Sequence, residues 1–159
     1  PDGAPRTTVE GATLCTGARD PVAERVLPHL ISSWRIALVL VIEDEHATAR
    51  TGVGASLTAA LLESVRVSLT VPSLLQSVIA GRRPHVGDAL DAGGLPREPW
   101  LQGLTERGAR ELAIAPVIVN DRVVRVVVAI GARLEIGAAS GEVLRVARSM
   151  IDAYRTSPP

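Results

Sequence analysis

The chain has 159 residues, of which 47% are apolar, and its formal net charge is zero. This length and apolar content are enough for one domain with a core, and they exclude a chain that is disordered by composition. A net charge of zero gives no electrostatic case for a nucleic acid or an anionic membrane surface as a partner. The sequence also lacks a run of about 20 apolar residues, the length that a transmembrane helix needs.

Residue usage indicates the setting of the protein. Cys15 is the one cysteine, so no internal disulfide can form, and a reducing, cytoplasmic compartment is the default expectation. The basic residues other than three histidines are all arginine, and phenylalanine is absent. With many Ala, Gly and Val residues, this bias is typical of a GC-rich bacterial gene. Because the chain starts at Pro1 without an initiator Met, we expect a domain excised from a longer protein.

The N-terminal part predicts an arm followed by a helix. Residues 1–19 are rich in Gly, Thr, Pro and Ala with little periodicity, which is typical of a linker or loose arm. Asp20-Pro21 is a helix-start signal, because Asp caps the first turn and Pro fits the first helical position. A kink or restart is expected at Pro28. The apolar stripe of this helix is Val22, Val26, Leu27, Leu30, Ile31 and Trp34.

The next segment predicts a hairpin, a helix and a strand. Residues 36–42 are apolar throughout, which is typical of a central strand covered on both faces. Residues 46–54 are predicted to return as its hairpin partner. Ser56 is a candidate cap for a helix over residues 57–65, and residues 66–71 alternate as a half-buried strand does.

The stretch SLLQSVIAGRRPHVGD, residues 73–88, predicts a helix, a turn and a short strand. Gly81 suits a left-handed helix end, and Pro84 prevents the helix from resuming. Residues 85–88 then form the edge-like strand. A loop rich in Gly and Pro leads to a short helix over residues 100–110.

The clearest signal is a hairpin near the C-terminus. Residues 111–119 and 122–131 are apolar, strand-like runs joined by Asn120-Asp121, which tolerate the positive φ of a tight two-residue turn. Ser140 is a candidate cap for a last amphipathic helix. Because the strands mostly follow one another as antiparallel neighbours, the sequence predicts an α+β fold, a mostly antiparallel sheet flanked by N- and C-terminal helices.

Two segments give the chain a resemblance to GAF domains. Residues 73–88 are similar to the family's short helix, "G-R-P" turn and following strand. Residues 108–128 are similar to its hairpin, in which a Pro in the first strand precedes a tight turn and a second apolar strand. The resemblance implies a GAF-like domain over residues 20–155, between the arm and a frayed tail at residues 156–159.

Departures from the family's patterns narrow the predicted function. GAF domains that bind cyclic nucleotides resemble one another through a motif containing Lys and Phe, and this chain has neither. Bilin-binding members attach their pigment through a cysteine, whereas Cys15 lies in the arm. The free-methionine sulfoxide reductases of this fold need several cysteines. We therefore predict no enzyme activity and no cofactor.

The resemblance implies a pocket between the sheet and the helices. The predicted lining is Arg66, Val67, Leu69, Leu74, Arg83, His85, Trp100 and Leu104. Arg82, Arg83 and His85 could instead be a solvated turn, since charges after a helix C-terminus are stabilised by the helix dipole. Trp100 could be a lid over the pocket or a core plug, because burying a large ring is the commonest use of Trp.

Terminal helices often pair between subunits in the family, so the two terminal apolar stripes are candidates for a dimer interface. The interface candidates, with one strand residue added, are Val22, Val26, Leu30, Arg125, Val143, Val146 and Met150. The alternative is that both stripes simply cover the sheet. Arg125 stands where the family usually has a Gly, so its side chain either snorkels or meets a partner.

Other chemistry has little support in the sequence. No His, Cys or Asp pair has a metal-binding spacing, and the acidic residues 43–45 are better explained as a charged hairpin turn. Ser56 and Ser140 are better explained as caps than as nucleophiles. The three histidines do not indicate a haem site.

The sequence thus predicts a non-catalytic GAF-like signalling module that acts by dimerisation or by docking to other domains or proteins of a bacterial signalling pathway. A homodimer is expected, with no nucleic-acid or membrane partner. The alternative is a small-molecule sensor that binds a ligand in the sheet-helix pocket, with Arg66, Arg83 and His85 as polar anchors. The two hypotheses differ in whether those side chains point into an open cavity.

Overall fold

The computed structural model describes residues 13–159, and of residues 106–108 only the backbone. Its helices are α1 (Pro21–Val26), α2 (Ala59–Ser64), α3 (Leu74–Gly81) and α4 (Ile136–Thr156), with 3₁₀ helices at Leu27–Leu30, Pro99–Leu101 and Gly103–Gly108. Its strands are β1 (Thr13–Cys15), β2 (Trp34–Glu43), β3 (His46–Val53), β4 (Arg66–Ser68), β5 (His85–Asp88), β6 (Glu111–Val119) and β7 (Arg122–Ala132).

The seven strands of the described chain form one antiparallel sheet. Their order is β1-β3-β2-β7-β6-β5, and β4 pairs with β3 along the edge that β1 also uses, nearer to the β2–β3 turn. β2 is apolar on both faces because Leu38 and Leu40 enter one core while Ala37 and Val39 enter the other. The predicted α+β fold with a central strand covered on both sides is confirmed.

Helices cover both faces of the sheet. On one side, the α4 face, α1, the Leu27–Leu30 helix and α4 bury Trp34, Met150 and Tyr154. On the other, the α3 face, α2, α3 and the two later 3₁₀ helices pack over the sheet. Buried leucines fill this second layer: Leu57, Leu62, Leu75, Leu101, Leu104 and Leu112. They occupy the space in which the sequence analysis placed a pocket.

The β6–β7 hairpin matches its prediction. β6 has the predicted ends, and β7 is one residue longer than predicted. Asn120 and Asp121 have φ angles of 52° and 65°, the two positive values that a tight type I′ turn requires. This hairpin supplies the centre of the sheet, since β7 pairs with β2 and β6 with β5.

The N-terminal helix is shorter than predicted. Asp20 caps α1 as expected, and its Oδ1 accepts a hydrogen bond from the amide of Ala23 at 3.2 Å. Around Pro28 the chain is a 3₁₀ helix, because proline has no N–H for the α-helical hydrogen bond. Trp34, predicted to end the helix, instead begins β2.

Part of the predicted arm forms a strand. Its residues Thr13–Cys15 form β1, which pairs with residues 51–53 of β3. Residues 1–12 lie outside the described residues.

Two helices begin at residues other than those predicted. Thr58, and not Ser56, caps α2, and its hydroxyl accepts from the amide of Leu61 at 3.1 Å. The last helix begins at Ile136, before the predicted cap Ser140, and continues one residue into the predicted tail. Among residues 13–159, no helix combines the length and the apolar content that crossing a membrane requires.

Candidate functional site

A cleft of about 340 Å³ lies beside β4 at the end of the α3 face. One wall is β4 with the residues that lead into α3, and the other is the segment around the Pro99–Leu101 helix. β4 ends three residues earlier than predicted, so that Val71 and Pro72 line the cleft instead of extending the sheet. We call this site the Arg66–Trp100 cleft, and its principal lining residues are Arg66, Val67, Val71, Pro72, Arg97 and Trp100.

The loop before the cleft is folded by local hydrogen bonds. Oδ1 of Asp91 accepts from the amides of Gly93 and Leu95 at 2.9 and 3.0 Å, as in an Asx turn. The amide of Arg97 then donates to the carbonyl of Ala89 at 2.9 Å. These bonds set the direction in which the chain leaves the loop, and they place Arg97 at the cleft opposite β4.

Glu98 connects the two walls of the cleft. One of its carboxylate oxygens accepts from the amide of Leu74, the first residue of α3, at 2.5 Å. The other accepts from the indole N–H of Trp100 at 2.6 Å. A carboxylate at a helix N-terminus is stabilised by the helix dipole, and here it also orients the indole ring. Trp100 packs partly into the core of the α3 face and partly lines the cleft, so it is not the fully buried plug of one prediction, and the lid of the other stays a prediction.

Arg66 and Arg97 give the cleft a positive charge. Both side chains are exposed, and neither has an ion pair or side-chain hydrogen bond with another described residue. The carboxylate that lines the cleft belongs to Glu98, and both of its oxygens are already engaged by Leu74 and Trp100. The two guanidinium groups are therefore available to a bound anion.

The structure brings only part of the predicted pocket together. Arg66, Val67 and Trp100 share this cleft, whereas Arg97 and Glu98 were missed by the sequence analysis. A signal for them exists in the sequence PREP, residues 96–99, because two charged residues held between prolines have a restricted backbone. The pattern does not predict which strand or helix the two charged side chains will face.

The other apolar pocket candidates lie elsewhere. Leu69 and Leu74 pack against the core of the α3 face. Leu104 is buried and lines a separate cavity of about 200 Å³ with Arg35 and Arg133. The residues of the single predicted pocket are thus divided between the protein core and two separate cavities.

The predicted anchors Arg83 and His85 do not line the cleft. Gly81 ends α3, but Arg82, with φ of 54°, takes the left-handed position that was assigned to the glycine. Arg82 forms an exposed ion pair of 2.5 Å with Asp121 in the hairpin turn, and Arg83 is also exposed. Nε2 of His85 is buried and has no hydrogen-bond partner among the described residues. The turn links α3 to the hairpin, which agrees with the alternative of a largely solvated turn.

Arg125 meets a partner within its own chain. Its Nε donates to Oδ2 of Asp20 at 3.1 Å, and the hydroxyl of Tyr154 donates to the same oxygen at 2.6 Å. The guanidinium carbon lies 5.6 Å from the centre of the Tyr154 ring. Burial, and then the hydrogen bond to Asp20, raise the pKa of Tyr154 above its ordinary value. We call these three residues the Asp20 cluster.

The apolar interface candidates lie inside the domain. All but one are fully or nearly fully buried in the core of the α4 face: Val26, Leu30, Val143, Val146 and Met150. Val22 is partly buried and packs against the same core. The terminal stripes therefore cover the sheet, which was the alternative to a dimer interface, because the central strands need an apolar layer on this face.

Cys15 lies on the edge strand β1 and is partly buried. Burial, and then the neighbouring Glu24 carboxylate, raise the pKa of its thiol, which disfavours the reactive thiolate. Within residues 13–159, no group of three or more His, Cys, Asp or Glu residues is close enough together to hold a metal ion.

Comparison with known proteins finds matches for the fold but none for the sequence. The sequence matches no family model and no curated protein. Solved structures do match. The nlh2 GAF domain of A. aeolicus superposes with a TM-score of 0.64 and 13% identity over 88% of each chain. The GAF domain of a two-component sensor histidine kinase from Bacillus halodurans superposes with a TM-score of 0.61 and 13% identity over 86% of this chain and 95% of that one.

The chain has the GAF fold. The resemblance that the sequence suggested is therefore confirmed for the fold. At these identities the match concerns the fold alone.

The prediction that the chain is not an enzyme is contradicted. A free methionine-R-sulfoxide reductase from Neisseria meningitidis, solved with its substrate, has the same fold, with a TM-score of 0.55 and 13% identity over 89% of this chain and 94% of that one. The GAF fold thus includes enzymes. Neither the fold nor the single cysteine excludes catalysis here.

Proposed function

We propose that this GAF domain is a sensory module of a signalling protein and that the Arg66–Trp100 cleft is its ligand site. Proteins of the same fold include the GAF domain of a sensor histidine kinase, which supports a signalling role. The apolar stripes of the two terminal helices are buried in the core, so they are not free to form the predicted dimer interface. We therefore favour the alternative that the sequence also suggested, a small-molecule sensor.

One observation supports the choice of the Arg66–Trp100 cleft as the ligand site. The cleft combines apolar walls with two arginines that form no ion pair with a described residue, at the edge of the α3 face. Pockets that bind small molecules commonly pair an apolar lining with a few polar groups that fix the ligand's orientation. A volume of about 340 Å³ lies at the small end of such pockets, so the ligand is expected to be small.

A fragment screen by amide NMR tests this site without assuming a ligand class. Fragments of mixed charge are added to the labelled domain, and shifts are expected at the indole N–H of Trp100 and at β4. Val71 is 54% exposed and lines the cleft, so V71W should fill it and abolish those shifts. Val86, 44% exposed on β5 and outside the lining of the cleft, gives the matched control V86W, which should keep them. Fragments that bind only elsewhere, or bind V71W equally well, would refute the proposal.

A second candidate function is homodimerisation or docking through the outer side of α4. Leu134, Ile136 and Leu144 are exposed apolar residues at its start and along it. In this proposal the outer side of α4 takes the place of the buried stripes as the dimer surface. Dimerisation would then be a function in addition to ligand binding in the cleft. Light scattering after gel filtration should then show a dimer that L144D converts to a monomer, and a monomeric wild type would contradict it.

A further inference from the structure

We propose that the Arg66–Trp100 cleft takes a small organic carboxylate with an apolar body. Its carboxylate lies between Arg66 and Arg97, and its apolar part lies against Trp100 and Val71. This inference rests on the proposed function, because it names the ligand class of the same site.

The charge of the cleft favours an anion. Arg66 from β4 and Arg97 from the segment before the Pro99–Leu101 helix both line the cleft, so we expect one anionic group to contact both. A planar guanidinium group matches a carboxylate in geometry and binds it with paired, charge-assisted hydrogen bonds. Glu98 forms no ion pair with either arginine, and its two oxygens accept instead from the amide of Leu74 and the indole of Trp100.

The walls favour an organic ligand over an inorganic ion. Four of the residues that line the cleft present apolar surface: Val71, Pro72, Pro99 and Trp100. Val71 is 54% exposed, which leaves apolar area for a ligand to cover. Covering such area is favourable in proportion to its extent, whereas a bare ion would leave it in water.

Glu98 also fixes the orientation of the ligand. Its negative charge lies at the α3 and Trp100 end of the cleft, so an anionic group is repelled from that end. The ligand's carboxylate is therefore directed toward the arginines and its apolar part toward the indole. A cationic ligand finds no open carboxylate among the described lining residues.

Two aromatic probes of nearly equal shape test the charge. Naphthalene-2-carboxylate and its neutral analogue naphthalene-2-methanol are titrated separately into the labelled domain at low salt, and the Trp100 indole N–H is followed by NMR. We expect the carboxylate to bind at least about tenfold more tightly, since one charge-assisted contact is worth that factor. R66Q and R97Q should each lower carboxylate affinity by about three- to tenfold and leave the alcohol unchanged. R148Q, an exposed arginine on α4, is the matched control and should change neither affinity.

Each outcome decides the inference. A carboxylate preference that disappears in R66Q or R97Q supports it. Equal binding of both probes at the Trp100 indole overturns the anion but leaves the proposed sensory site intact. Binding of neither probe also overturns the inference, and the fragment screen then decides the proposed function separately. If R148Q weakens carboxylate binding as much as R66Q does, the preference comes from the overall charge, and the assignment to the cleft is wrong.

Discussion

The hydroxyl of Tyr154, near the end of α4, donates a 2.6 Å hydrogen bond to Oδ2 of Asp20, the residue that caps α1. The same oxygen accepts from Nε of Arg125, on β7, at 3.1 Å. One buried carboxylate therefore joins both terminal helices to the middle of the sheet. A charge of this kind is tolerated inside a protein only when it is paired and hydrogen-bonded.

Removal of this carboxylate should destabilise the domain strongly. D20A leaves the guanidinium of Arg125 and the hydroxyl of Tyr154 without their partner and removes the cap of α1, so the free energy of unfolding should fall by about 2–4 kcal/mol. Y154F removes one hydrogen bond and should cost about 1 kcal/mol. Urea unfolding followed by circular dichroism measures both.

D152A, in an exposed ion pair with Arg155, is the control and should stay within about 0.5 kcal/mol of wild type. A D20A domain as stable as D152A would contradict the role of the cluster.

High pH should lower the stability of the domain through Tyr154. Its pKa is raised in the folded state, first by burial and then by Asp20, so the folded state holds the proton after the unfolded state, with a pKa of about 10, has released it. The stabilisation of the folded state by protonated Tyr154 is therefore fully present below pH about 10. It is lost as the pH rises above that value, by up to about 1.4 kcal/mol per pH unit. Tyr154 is the only tyrosine, so tyrosinate absorbance should appear together with unfolding. Y154F should lose stability less steeply over the same range, and identical slopes would contradict the assignment.

A glycine of β3 should be required by packing. A Cβ on Gly52 would lie 2.5 Å from Cδ2 of Leu57 and 2.9 Å from Cδ2 of Leu38, both buried. G52A should therefore cost about 1–3 kcal/mol in the free energy of unfolding, the usual cost of overpacking a core. G103A is the control, because its Cβ would meet only the partly exposed side chain of Leu61, which can move aside. Chemical unfolding should show a larger loss in the free energy of unfolding for G52A than for G103A. An equal loss in the two variants would contradict the packing argument.

The parts of the fold that the sequence predicted best are those whose signals are local. The β6–β7 hairpin was predicted to within one residue because its continuous apolar runs and the Asn120-Asp121 turn are both signals within one short segment. Helix ends were predicted less well, since Ser56 and Thr58 are both residue types that cap helices, and the structure has Thr58 in that position. Arg82 shows the same limit, because its left-handed φ accompanies an ion pair to Asp121, 39 positions later in the chain.

The candidate site could be predicted only in part because its contacts are distant in sequence. The alternation of residues 66–71 predicted the strand that carries Arg66 and Val67, and the resemblance to GAF domains placed both residues at a pocket. Arg97 enters the same cleft through a loop folded by Asp91, and the sequence does not state which strand that loop will face. Likewise, the alternatives for Arg125 could be listed, but its partner Asp20 lies 105 positions away.

Neutralising Glu98 should separate its structural role from its charge. In E98Q one side-chain atom is an amide nitrogen, so one of the donors, Leu74 N or Trp100 Nε1, loses its acceptor. The free energy of unfolding should fall by about 1 kcal/mol. The cleft also loses its one negative charge, so naphthalene-2-carboxylate should bind about twofold more tightly, as expected for one charge several ångströms away near water. Naphthalene-2-methanol should bind as before.

The matched control for this variant is E142Q, which removes an exposed carboxylate on α4 at the opposite face of the sheet. It should change the affinity for neither probe, so a twofold gain in E142Q would show that net charge and not position is responsible. If E98Q instead weakens both probes alike, the main role of Glu98 is to hold the indole ring of Trp100 in place. Its charge would then contribute nothing to the selection of an anion, and the orientation assigned to the ligand would be wrong.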